Sequence, residues 1–150
     1  MIKAQRRARQ ILRKYNLSTA PIDLHKIVTA EGLTLDEWSF RGRVKEVYLG
    51  DSIGIRSHTD KRKGRELIAH ALGHHFLHTG NQLYFESCDQ FVTFKQEFEA
   101  ECFATELLMP RELLSKTKQL SLSTAADYFV VTKNFLKQGF ATFQKGGLCH

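Results

Sequence analysis

The chain has 150 residues, 42% of them hydrophobic and 25% charged, with a net charge of +6. That length fits one domain with a core of its own, here expected to span residues 1–150. Composition excludes a membrane-spanning chain, because no apolar run approaches the length needed, and the basic opening "MIKAQRRARQILRKYN" lacks the apolar segment of a secretory signal.

In that opening stretch Ile2, Ala8, Ile11, Leu12 and Tyr15 recur at helical spacing with arginines opposite. "STAPIDLHKIVTAEG" predicts a second helix, with Pro21 in its first turn and Gly32 as its stop. Next come "LTLDEWSF", "VKEVYLG" and "SIGIRSH", short alternating or β-branched runs broken by Gly42, Gly50 and Asp51. They predict a small antiparallel sheet. From Lys61 onward the period is helical again. "GRELIAHALGHHFLHTG" ends near Gly80, "FKQEFEAECFATELLM" stops at Pro110, and "RELLSKTKQL" and "STAADYFVVTKNFLKQGF" supply two or three more helices. Helices, then sheet, then helices indicate an α+β fold. The C-terminal pair, about 110–140, belongs to the same domain.

Two basic clusters carry much of the charge: Lys3, Arg6, Arg7, Arg9, Arg13 and Lys14, then Arg56, Lys61, Arg62, Lys63 and Arg65. Such patches can hold phosphate or an acidic partner. Neither is interleaved with aromatics, as a single-strand nucleic-acid surface would be. A solvated helix face plus a basic loop is the simpler reading. Cys88, Cys102 and Cys149 are odd in number and form no CxxC pair, which points to a reducing cytoplasm.

Chemistry concentrates in "HALGHHFLH", His70 to His78. Residues four apart share a helix face, so His70 and His74 can aim two imidazoles at one ion. Zinc suits them, since it takes neutral imidazole and imposes little geometry of its own. The pair alone is weak evidence in a chain with seven histidines. Its setting is stronger. Leu67, Ile68, Ala71, Leu72 and Leu77 make the helix apolar, and buried imidazoles need a partner. A third ligand is available in "EFEAECFATELLMP". Glu97 and Glu101, one turn apart, can both face the first helix: Glu97 to ligate, Glu101 to accept a hydrogen bond from a ligand histidine and set its tautomer. Glu99 then points elsewhere, to water. Any one of these glutamates can equally be part of a solvated acidic face. His78 lies about 12 Å from His70 along the helix and caps its end instead, and His75 points away.

"RELIAHALGHHFLH" followed by "EFEAECFATELLMP" resembles the ImmA/IrrE family of bacterial metallopeptidases. Ala69, His70, Leu72, Gly73 and His74 match the family's AHELGH helix. Glu97, Glu99, Ala100, Phe103, Ala104, Leu107, Leu108, Met109 and Pro110 match its second helix. The tail "STAADYFVVTKNFLKQGF" looks like the family's closing helix pair, itself similar to a helix-turn-helix. The resemblance implies a zincin-like fold: a small antiparallel sheet packed on an active-site helix, with C-terminal helices. It puts zinc on His70, His74 and Glu97, with Glu99 as the alternative third ligand. Glu101 stands where the family has asparagine or aspartate. Ala71 stands where the family has its general base, a glutamate. In such a site zinc lowers the pKa of bound water toward ~7 and the glutamate takes its proton. Alanine has no carboxylate, so metal binding should survive and amide hydrolysis should not. Glu66, one turn before His70, lies on the wrong side to substitute. Ala71 is compatible with an engineered replacement or with natural loss of the base.

By the same resemblance the substrate is a helix-turn-helix repressor, held extended against an edge strand. Ile53, Gly54, Ile55 and Arg56 are the candidate strand, with the second basic cluster beside it to receive acidic side chains. Alternatives are a zinc-stabilised docking module without activity, or a DNA-binding protein. Direct nucleic-acid binding is not expected, because the last helix offers only Lys133, Asn134, Lys137 and Gln138.

Overall fold

A computed structural model describes residues 2–39, 46–49, 51–78 and 90–144. Within them seven helices and three strands run in the order α1 (Lys3–Lys14), α2 (Leu24–Ala30), β1 (Thr34–Trp38), β2 (Glu46–Leu49), β3 (Ser52–Arg56), α3 (Lys61–Leu77), α4 (Gln90–Leu108), α5 (Arg111–Ser115), α6 (Leu122–Phe129) and α7 (Lys133–Gln144). The fold is α+β, with the sheet between two groups of helices in sequence.

Local chemistry sets most boundaries. Asp23 caps α2 by accepting from the Lys26 N–H at 3.2 Å, so that helix starts after Pro21 rather than around it. Asp60 does the same for α3, accepting from the Lys63 N–H at 3.1 Å. α3 therefore begins three residues before the apolar pattern suggests. α4 also begins early, at Gln90. The breaks expected at Gly42 and Gly50, and the stop at Gly80, lie outside the described residues.

The sheet corrects the antiparallel expectation. Its order is β1-β3-β2, with β2 antiparallel to β3 and β1 parallel to it. β2 and β3 are joined through residues 50 and 51 and pair as a hairpin, which leaves only the far edge of β3 open to β1. Alternation along a strand shows which face is buried but not which neighbour it pairs with. β3 is thus the central strand, with Ile53, Gly54 and Ile55 buried.

α3 and α4 form the main helix pair. α1 packs on α4, and α3 also packs on β2 and β3. Ala8, Ile11, Ile27, Ile53, Leu72, Phe103, Leu107 and Leu136 are fully buried between these layers. Burying an isoleucine, leucine or phenylalanine side chain stabilises by about 1.5–3 kcal/mol, against the entropy of ordering it. No helix among the described residues is long and apolar enough to cross a membrane. Cys102 is disulfide-bonded, which withdraws the support that the cysteine pattern lent to a reducing compartment.

Candidate metal centre

The centre is built where α3 and α4 approach most closely. Gly73 faces α4, and a Cβ there would lie 2.9 Å from both Cα and O of Ala100. Only a residue without a side chain allows that spacing. Its consequence lies one turn along α4: Glu97 is brought within reach of His70 and His74. Oε2 of Glu97 is 2.8 Å from Nε2 of His70, and Oε1 is 2.8 Å from Nε2 of His74. The His74 contact is at ion-pair distance without the alignment of a hydrogen bond. Two nitrogens and a carboxylate therefore converge, all three ligand atoms within 4.8 Å of one another.

Electrostatics suit that convergence. Burial pushes the Glu97 carboxyl up, but the hydrogen bond with His70 and the close approach of the His74 imidazole outweigh it and hold the group well below the usual carboxylate range. Burial pushes the His74 imidazole down, against the opposing pull of Glu97. A carboxylate that stays ionised and a buried imidazole that stays neutral are the protonation states a metal ligand needs. A donor set of two imidazoles and one carboxylate fits a divalent cation of the zinc type.

The neighbouring positions depart from expectation. Glu101 is exposed and, among the described residues, makes no hydrogen bond to a ligand histidine. It lies with His70 on a polar cleft of about 400 Å³, facing Asn134 and Gln138 of α7. Its i+4 relation to Glu97 is real, but Ala100 takes the close approach to α3 at Gly73, and Glu101 is left beside it. Glu99 stands apart from the three converging ligands and does not point only to water: its Oε2 is 3.2 Å from Nε2 of His78. His78 is the C-cap of α3, as expected, and its Nδ1 also meets Nδ1 of His74 at 3.0 Å. His75 points away from the centre to Glu31 (2.9 Å) and to the hydroxyl of Tyr48 (2.7 Å). Sequence reasoning missed the pairing of His78 with Glu99. The four-residue step from His74 was visible; the side of α4 that Glu99 occupies was not.

Ala71 is fully buried. Glu66, set aside from the sequence, accepts the Thr132 N–H at 2.7 Å and anchors the start of α7. Two members of the second basic cluster are also committed. Arg62 donates to the Val131 carbonyl at 3.1 Å and pairs with Asp127, and Arg65 donates to the Val130 carbonyl at 3.2 Å. They are therefore not available as a group to receive acidic side chains of another protein. The candidate substrate strand fails for a related reason. Residues 52–55 pair on both edges, so the Ile53, Gly54 and Ile55 backbone has no open edge to offer, and Arg56 pairs with Trp38 of β1.

Residues 28–140 match the family model described as the IrrE N-terminal-like domain, a peptidase M78 domain. No individual curated protein matches the chain. The match covers most of the 150 residues and includes both helices of the centre, His70, His74 and Glu97 among them. The chain belongs to the IrrE N-terminal-like family of metallopeptidases.

Proposed function

We propose that the chain is a zinc site of the ImmA/IrrE endopeptidase type whose substrate is a helix-turn-helix repressor, and that Ala71 leaves it catalytically impaired. The observation that carries this reading is the convergence of His70, His74 and Glu97 within 4.8 Å. Those three residues would hold zinc. Bound there, zinc supplies Lewis acidity toward the scissile carbonyl and toward water.

The rest falls to the chain's own groups. Two neutral imidazoles and one carboxylate leave a single positive charge on the centre, enough to attract a carbonyl oxygen. Position 71 follows His70 by about 100° around the helix. A carboxylate there would take a proton from water and return it to the leaving amine, and alanine does neither. For the substrate backbone the strand on offer is β2 rather than β3. Among the described residues that strand is an edge of the sheet; it packs on α3 and is tied to it through the Tyr48 hydroxyl and His75. An extended segment can add to such an edge by main-chain hydrogen bonding.

One observation favours a second reading. Ala71 is packed at 0% exposure among core side chains. A position closed in this way suits a zinc-stabilised docking module that binds the repressor without cutting it.

Restoring the carboxylate separates the two. Ala71→Glu should leave zinc stoichiometry unchanged and raise cleavage of a purified helix-turn-helix repressor by about 10²–10⁴-fold, with loss on adding chelator. Folding is checked by thermal melts in zinc. If a folded Ala71→Glu chain binds zinc and repressor yet never cuts, the docking module is the correct reading.

A further inference from the structure

The histidine ladder of α3 continues one turn beyond the pair that faces Glu97. The His78 side chain is only 7% exposed, although it stands at the helix end. Its Nδ1 is 3.0 Å from Nδ1 of His74 and its Nε2 is 3.2 Å from Oε2 of Glu99. The two rings lie 5.1 Å apart between centroids. Glu99, His78 and His74 thus form a line that leads from α4 to the metal face.

We propose that His78 and Glu99 are positioning residues that fix the ring of His74 for metal binding, Glu99 accepting from Nε2–H of His78 and Nδ1 of His78 accepting from Nδ1–H of His74. This rests on the reading of His70, His74 and Glu97 as zinc ligands. The direction of the line follows from its carboxylate end. An ionised carboxylate only accepts, so Nε2 of His78 carries the hydrogen. A neutral His78 then has a bare Nδ1. Two ring nitrogens at 3.0 Å need one hydrogen between them, and it must come from His74. Nε2 of His74 is left with its lone pair free, and that is the nitrogen turned toward Glu97.

Metal-ligating histidines usually give their second N–H directly to a carboxylate or carbonyl. Here the carboxylate acts through an intervening imidazole. The arrangement also explains how the site can do without Glu101, which is exposed to solvent. His78 is the group that His74 can reach along its own helix, since four residues bring side chains onto one face.

The test measures zinc affinity by competition with a chromophoric chelator, using the full chain and three variants. His78→Ala should weaken zinc by about 10–100-fold. His78→Asn should restore most of that loss, because its Oδ1 takes the place of Nδ1 as an acceptor. His78→Gln should not, because its polar end reaches the place of Nε2. Long-range nitrogen–proton spectra of the zinc-loaded chain should show hydrogen on Nδ1 of His74 and on Nε2 of His78. Melts in chelator check that each variant folds. If the folded series has unchanged affinity, if His78→Asn is as weak as His78→Ala, or if His78 carries its hydrogen on Nδ1, the positioning role is wrong while the ligand assignment stands. If the unaltered chain binds no zinc, both fall.

Discussion

The two halves of α3 spend their polar side chains differently. In the first half, Arg62, Arg65 and Glu66 reach across to the turn between α6 and α7 and bond to the backbone there, the carbonyls of Val131 and Val130 and the N–H of Thr132, with Arg62 also pairing with Asp127. In the second half, His70, His74 and His78 meet the side chains of Glu97 and Glu99, and His74 meets His78 itself. A backbone partner is present in every folded copy and asks for nothing further, so the first set is a fastening. Side chains that converge on one another, with nitrogen and oxygen atoms within 4.8 Å, leave ligand capacity that a cation can take up. The nature of the partner is what separates structure from site.

The contrast predicts independence, and the largest expected effect lies at the second half. His70→Ala should abolish stoichiometric zinc binding, read by elemental analysis of the purified chain. Its side chain is 18% exposed, so the melting temperature in chelator should hardly move. The stabilisation that zinc adds should vanish, about 3–4 kcal/mol when free zinc is 100–1,000 times its dissociation constant. A variant that retains one zinc per chain would dissolve the comparison.

At the first half, Glu66→Ala should show the opposite profile. It strands the Thr132 N–H and removes a partner of Lys63, at 2.7 and 3.8 Å respectively. The loss should be about 1–3 kcal/mol in denaturant unfolding, with zinc affinity unchanged. A parallel fall in affinity would mean that the two halves act as one unit.

The smallest effect concerns the other face of α3, where Glu31 accepts from Tyr15 and faces His75 and Lys14. Burial pushes the Glu31 carboxyl up, and hydrogen bonds from Tyr15 and His75 outweigh it, so its pKa lies below the ordinary 4.5. A depressed acid stabilises the fold above its unfolded pKa, and that contribution is lost as pH falls through the folded value. Glu31→Gln should therefore cost about 1 kcal/mol at pH 7, and the gap to the unaltered chain should narrow below pH 4.5. Chemical unfolding of the metal-free forms at several pH values measures it. A gap that widens toward acid would reverse the sign.

The legible parts of the sequence were those with local causes. The helix carrying His70 and His74 shows in its apolar period and its four-residue step, and both survive in α3 because helix geometry is set within a few residues. Glu97 was legible as a partner because the same step recurs on α4 and the family pattern marks it. Glu101 was read wrongly by that step. A helix face about 100° wide holds several positions, and contact with a neighbour selects among them.

By itself, then, the sequence determined the helices, the strands, the α+β order and the two-histidine face, because period, caps and spacing act over one or two turns. Tertiary structure alone decided what depends on residues far apart in the chain. It put β3 rather than β2 at the sheet centre and seated Gly73 against Ala100. It also gave Glu99 to His78 and left Glu101 beside the centre. The physical reason is that pairing and close packing are settled between elements, by which surfaces fit at van der Waals distance, and no single segment carries that information.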